Sequence, residues 1–281
     1  MRRRSAVPAI SLALLIASPA LVGLGYALAG ALGRVGPGRD QASGRIMRVL
    51  TDTAVWSGLA WSVWTAFLAT ALAFAGAALL SVAFRRASRL HATARFLLVA
   101  PLPVPHLAAA VMGMLILGQS GLLARFAAAF GWISQPAQMP ALIYDAAGTG
   151  FIVSMAWKEL PFLALIALTL LARRGPEWEE AARTLGAGAW RTFAAATWPA
   201  LWRGMLPGAT AAFVFVAGSF EAATLLAPSH PLPLPVLQIE RYTDANLASR
   251  GDAYVIALLL FLLAAVAVAA HEWTRARSAE A

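Results

Sequence analysis

A chain of 281 residues that is 60% hydrophobic and only 12% charged, with a mean hydropathy of +0.71, is too apolar for a soluble globule and reads as an integral membrane protein. Its net charge of +9 comes from arginines flanking apolar runs, where anionic lipid headgroups account for them, and no nucleic-acid module is present. The absence of cysteine excludes a disulfide framework and thiolate metal sites.

Six apolar segments are long enough to span a bilayer: about 8–32, 55–84, 96–117, 150–172, 205–227 and 253–270. Backbone facing lipid must satisfy its own amides, and no strand periodicity is present, so the expected fold is all-α. The first run follows a basic N-terminus and could be a cleaved signal with Ala27-Leu28-Ala29 as its small-residue site. It is longer than the ~7–15 apolar residues of a signal core, which favours a retained helix.

With the N-terminus in the cytoplasm, inside segments hold Arg2, Arg3, Arg4, Arg85, Arg86, Arg89, Arg95, Arg173, Arg174, Arg183, Arg191, Arg203, Arg275 and Arg277. Outside segments hold Arg34, Arg39, Arg45, Arg48, Arg125, Arg241 and Arg250. That two-to-one bias predicts both termini in the cytoplasm. Four arginines between the first two spans run against it.

Between the second and third spans, Pro101, Pro103 and Pro105 cannot sustain helical hydrogen bonding, so the chain should be broken there, with regular helix starting near His106. Such a break belongs beside protein or a cavity, or just outside the membrane. A short amphipathic helix is expected at about 122–130, and an extended proline-rich stretch at 228–233. In the fourth span, Pro161 frees the Trp157 carbonyl beside the adjacent charges Lys158 and Glu159; Glu221 falls in the fifth. Each charge at mid-membrane costs on the order of 2.5–3.5 kcal/mol on insertion scales, so these should face protein, water or one another. Two readings stay open. Glu159 and Glu221 line a path with Lys158 balancing one of them, suiting a cationic or zwitterionic solute, or Lys158 and Glu221 form a structural ion pair. Tryptophans 56, 61, 64, 132, 198, 202 and 273 fall near span ends, as in an aromatic belt. Gly204 and Gly208 read as a close-packing pair.

Between the fourth and fifth spans lies a polar island, 177–207. Gly175 and Pro176 give a helix start, with Glu177, Glu179 and Glu180 at its positive dipole end. Trp178, Ala181, Ala182, Leu185 and Ala189 recur on one helical face. Gly186 and Gly188 interrupt the helix, and a second helical pattern runs from Trp190 to Pro199. The island should fold as helix, glycine turn, helix.

Glu180-Ala181-Ala182, then Gly186, then Pro199 resembles the EAA loop of ATP-binding-cassette importer permeases, although Ala196 and Trp198 stand where that family has an aliphatic residue and a leucine. The resemblance covers roughly 52–270 and implies an inner-membrane permease of the group that includes thiamine, polyamine, ferric iron and sulfate importers. It implies a core at 52–272, a peripheral helix and external loop at 1–51, and a cytoplasmic tail at 273–281. It further implies that Glu180, Ala181, Ala182, Leu185, Gly186, Ala189 and Pro199 belong to a coupling loop docked on an ATPase subunit. The expected partners are two ATPases, a second permease and an extracytoplasmic binding protein. An enzyme is not expected, and no cofactor or metal: Lys158, the only lysine, lacks the glycine-rich loop of a nucleotide site, and His91, His106, His230 and His271 lack metal-ligand spacing. The rivals are a gradient-driven transporter, for which no convincing internal repeat is visible, and a membrane-embedded enzyme built on Lys158, Glu159 and Glu221.

Overall fold

The computed structural model describes residues 6–36, 43–84, 89–174 and 177–280, so the expected helix start at Gly175 and Pro176 lies outside the described residues. The described chain is helical, with no strand. The helices are α1 (Ala6–Ala31), α2 (Arg45–Thr51), α3 (Thr53–Ala83), α4 (Arg89–Val99), α5 (His106–Leu117), α6 (Leu122–Ala129) and α7 (Thr149–Arg174). They continue with α8 (Glu177–Thr184), α9 (Ala189–Thr192), α10 (Trp198–Ala217), α11 (Phe220–Leu226), α12 (Leu234–Thr243) and α13 (Leu247–Glu280). Six segments among the described residues are long and apolar enough to cross a membrane.

α3 and α7 form the centre of the bundle, with α10 packed on both. The reason is compositional: α3 buries Ala66, Ala69, Ala73 and Ala77 along one stripe, and α7 meets it with Leu163, Ala164 and Ala167. Lipid tails offer no hydrophobic drive between helices, so small residues that let backbones approach supply packing contacts instead. Ser81 Oγ donates to the Ala164 carbonyl at 3.3 Å across this seam. Gly204 and Gly208 perform the expected packing on α10. A Cβ at these positions would lie 2.5 Å from Leu170 Cδ1 and 2.4 Å from Ile166 Cδ1, respectively.

Three expectations are corrected. The third crossing does not run over 96–117: the proline segment separates α4 from α5, and the candidate span is His106–Ala129. The fifth helix ends at Ala217, so Glu221 is in the short, separate α11 and not within that span. Trp61 is no belt residue; it is 5% exposed, packs on Phe151, and its indole donates to the Ala146 carbonyl at 3.0 Å. The amphipathic helix expected at 122–130 is α6, and the proline-rich stretch 228–233 carries no helix; α12 starts just beyond it, with Pro235 in its first turn, where the missing N–H costs nothing.

The end of the bundle remote from α8 is tied by ion pairs. Arg48 Nη2 contacts Asp252 Oδ1 at 2.9 Å, and fully buried Arg45 reaches the same carboxylate at 3.8 Å while donating to the Gly30 carbonyl. Asp52 caps α3 by accepting from the Ala54 N–H at 2.9 Å, and its other oxygen takes Arg241 at 2.8 Å. Three of the seven arginines assigned outside are therefore committed to carboxylates of this chain, including two of the four in the first loop.

Candidate functional site

Two regions combine chemistry with accessibility. The first surrounds Lys158 and Glu159 on α7. A cavity of about 360 Å³ is lined by Leu102 from the proline break, His106 from α5, Lys158, Glu159 and Phe162 from α7, and Phe215 with two alanines from α10. The break creates half of this site. In an uninterrupted helix the Leu102 carbonyl would accept from the His106 N–H four residues on. Here the local bonds run from the Leu102 N–H to Val99 and from the Val104 N–H to Pro101, and the freed Leu102 carbonyl accepts from Lys158 Nζ at 3.2 Å. The prolines therefore do lie beside a cavity, and a buried ammonium satisfies the backbone they expose.

Glu159 is 6% exposed and its Oε1 lies 3.0 Å from His106 Nε2. For this contact to be a hydrogen bond to a carboxylate, which only accepts, the hydrogen must sit on Nε2. Phe215 covers the imidazole with a ring separation of 4.3 Å. Glu221 is not brought to this cluster: it is exposed, and no Lys158–Glu221 pair forms. Pro161 lies inside continuous α7. Sequence reasoning missed His106 as a partner, weighing it only as a metal ligand; its place as first residue after the proline break was the available signal.

The second region is the polar island. α8 stops at Gly186, whose φ of +82° is the left-handed conformation glycine adopts without strain. The Gly186 N–H donates to the Arg183 carbonyl and the Ala187 N–H to the Ala182 carbonyl, the paired closure of a Schellman cap. After α9, a five-residue π-helical turn, Phe193–Thr197, leads into α10, and Pro199 is tolerated near that helix's start rather than ending a helix. Leu185 and Trp190 remain 88% and 76% exposed, which is unusual for such side chains outside a lipid-facing span. Behind them an aromatic series steps inward. Trp190 meets Phe193 at 5.7 Å, Phe193 meets Trp198 at 6.0 Å, and Trp198 meets Phe74 of α3 at 6.1 Å. An external push on the hairpin therefore has a packed route to the central helices.

A broken-helix bundle with a buried charged cavity and an exposed two-helix hairpin defines a polytopic membrane transport subunit. Residues 76–278 match the profile of the family described as binding-protein-dependent transport system inner membrane component, and the chain belongs to that family. The family is one of transport components and not of enzymes, and it places the chain in the inner membrane. The chain is 31% identical over 172 residues to the sulfate transport system permease protein CysW of Synechocystis sp., covering 59% of each. It is 28% identical over 231 residues to the molybdenum transport system permease protein ModB of Mycobacterium tuberculosis, covering 80% of this chain and 81% of that one. Against the sulfate permeases, the chain spans 59%, 28% and 48% of the lengths of three relatives. Among solved structures, a chain of a bacterial ABC transporter importing the acidic polysaccharide alginate superposes with a TM-score of 0.74 at 14% identity, over 98% of this chain and 94% of that one. A chain of the MetNI methionine ABC transporter gives 0.57 at 19% identity, over 83% and 97%. Both show the shared fold.

Proposed function

We propose that the chain is the permease subunit of an ABC importer, providing part of the solute path and receiving the work of ATP hydrolysis from a partner ATPase. The observation that carries this reading is the hairpin: a glycine-capped helix turn that presents Leu185 and Trp190 to solvent and is backed by aromatic packing to α3. Exposed apolar side chains on a polar loop are suited to burial in a partner's groove. Glu180, Ala181, Ala182, Leu185, Gly186 and Ala189 form the docking segment, and Pro199 lies at the base of α10. The hairpin faces the cytoplasm with both termini, supported by the arginine asymmetry and by the internal neutralisation of Arg45, Arg48 and Arg241.

Lys158 and Glu159 line the path at the cavity, and the break at Pro101, Pro103 and Pro105 shapes it, while Pro161 sits within continuous α7. Glu221, exposed on α11, stays apart from that cavity. An extracytoplasmic binding protein delivers the cargo to the opposite end. The test is to tag the chain, extract it gently and identify what co-purifies, with Glu180→Arg and Gly186→Trp in parallel. An ATPase that accompanies the parent and is lost from both variants is the expected result. A well-folded parent that recovers no ATPase overturns the reading in favour of a gradient-driven transporter.

A further inference from the structure

Lys158 is the only lysine of the chain, 4% exposed, and its ammonium has three hydrogens to donate. Among the described residues it has one acceptor, the Leu102 carbonyl at 3.2 Å, and no carboxylate within ion-pair distance. Its neighbour Glu159 cannot stand in, because consecutive residues of a helix point about 100° apart and its Oε1 is held by His106. α10 contributes only alanines and Phe215 to the cavity wall, so no further charge reaches it from that side. A buried cation with two spare donors and no counter-charge is costly to keep, and a protein retains one where a ligand completes it.

We infer that the cavity is an anion site in which Lys158 binds an oxygen-bearing anionic group of the cargo, either an inorganic oxyanion or a carboxylate. The inference rests on the importer reading and gives its cargo a chemical class. The anion completes the donor set of the ammonium, adding charge-assisted bonds that the neutral Leu102 carbonyl cannot match. His106 has a separate duty: paired with Glu159 at 3.0 Å, it occupies the carboxylate that also lines the cavity and so tempers its repulsion of an incoming anion. Phe162, Phe215 and the alanines supply an apolar wall that strengthens the pairing by excluding water. The charge arrangement disfavours a cation, which would meet an unpaired ammonium before it reached the engaged carboxylate.

The experiment uses the whole complex, purified with whatever ATPase accompanies it and placed in lipid nanodiscs, with equilibrium binding of radiolabelled sulfate, molybdate and galacturonate measured separately. The first two probe the oxyanion source and the third the carboxylate source. The parent should bind at least one of them. Lys158→Gln should weaken that binding at least tenfold, Lys158→Arg should stay within about threefold, and Glu159→Gln, which removes a negative charge from the cavity wall, should bind more tightly than the parent. A merely structural role for the pair predicts that Glu159→Gln fails along with Lys158→Gln, and that result overturns the proposal. So does a parent that binds none of the probes, or binding untouched by Lys158→Gln. Should Lys158→Gln not assemble, the Arg and Glu159→Gln arms still decide. ATPase recovery is read on the same samples, so a complex that retains its ATPase and ignores anions sinks this inference and leaves the importer reading standing.

Discussion

Gly113 on α5 offers a test of how tightly the broken third crossing is held against α7. A Cβ at Gly113 would lie 2.1 Å from Ser154 Oγ, 3.0 Å from Ser154 Cβ and 3.8 Å from Leu226 Cδ1. The first contact is the shorter but the less important. Ser154 is buried and its hydroxyl has no partner, so rotation about χ1 can move the oxygen aside without breaking a bond. The Cβ of Ser154 cannot rotate away, and 3.0 Å is several tenths of an ångström inside ordinary carbon contact. Gly113→Ala must therefore push α5 off α7. Overpacking of this kind costs about 1–3 kcal/mol, against which the alanine recovers roughly 0.5–1 kcal/mol of helix propensity. A net destabilisation of about 1–2 kcal/mol is expected. Ser154→Ala leaves the Cβ in place and should rescue little, whereas Ser154→Gly clears the site and should rescue most of the loss. The assay is reversible unfolding in mixed detergent and dodecyl sulfate micelles, run as two double-mutant cycles. A Gly113/Ser154→Gly coupling below about 0.5 kcal/mol, the range of independent sites, would refute the packing argument. Full rescue by Ser154→Ala would show that the hydroxyl is the obstacle.

Other expectations follow from the same geometry. Leu185→Ser and Trp190→Ser each remove a side chain whose full burial is worth about 1.5–3 kcal/mol, so ATPase affinity should fall roughly 10- to 100-fold in a titration of detergent-purified components, with the fold intact by circular dichroism. Gly186→Ala should destabilise the hairpin by about 1–2 kcal/mol through its positive φ alone, since nothing lies within 4 Å of the added carbon; Gly186→Asn should be better tolerated, as seen by protease sensitivity of the loop. Asp252→Asn neutralises a carboxylate that both buried Arg45 and half-exposed Arg48 reach and should cost about 1–3 kcal/mol, read as loss of the monodisperse peak in size-exclusion chromatography, with Arg48→Gln milder.

Sequence periodicity reveals what a segment does to its own backbone, and that part was legible. The number of crossings, the start of α5 at His106 and the glycine-turned hairpin each follow from apolar run length, proline chemistry or glycine placement, although the third and fifth crossings were misplaced by roughly two turns or more. Pairings between distant segments were not legible. Glu159 meets His106 across 53 positions and Lys158 meets a backbone carbonyl 56 positions away; a carbonyl has no side-chain signature, so no residue pattern announces it as a partner. Glu221 was misplaced because apolar residues continue through Gly218 and Ser219, where the chain leaves the helix without a proline to mark the exit. Arg45 and Arg48 of the first loop ran against the charge rule because their shared carboxylate, Asp252, lies far along the chain in α13.

The clasp between Arg48 and Asp252 joins residues separated by 204 positions. At a synthesis rate of roughly 5–20 residues per second, Asp252 is made some 10–40 seconds after Arg48. During that interval Arg45 and Arg48 lack the Asp252 carboxylate that they meet in the finished fold. Completion of the last helix is what brings that carboxylate to α2. A chain that stalls before residue 252 lacks this clasp altogether, so the tie between α2 and α13 is among the last long-range contacts that synthesis makes possible.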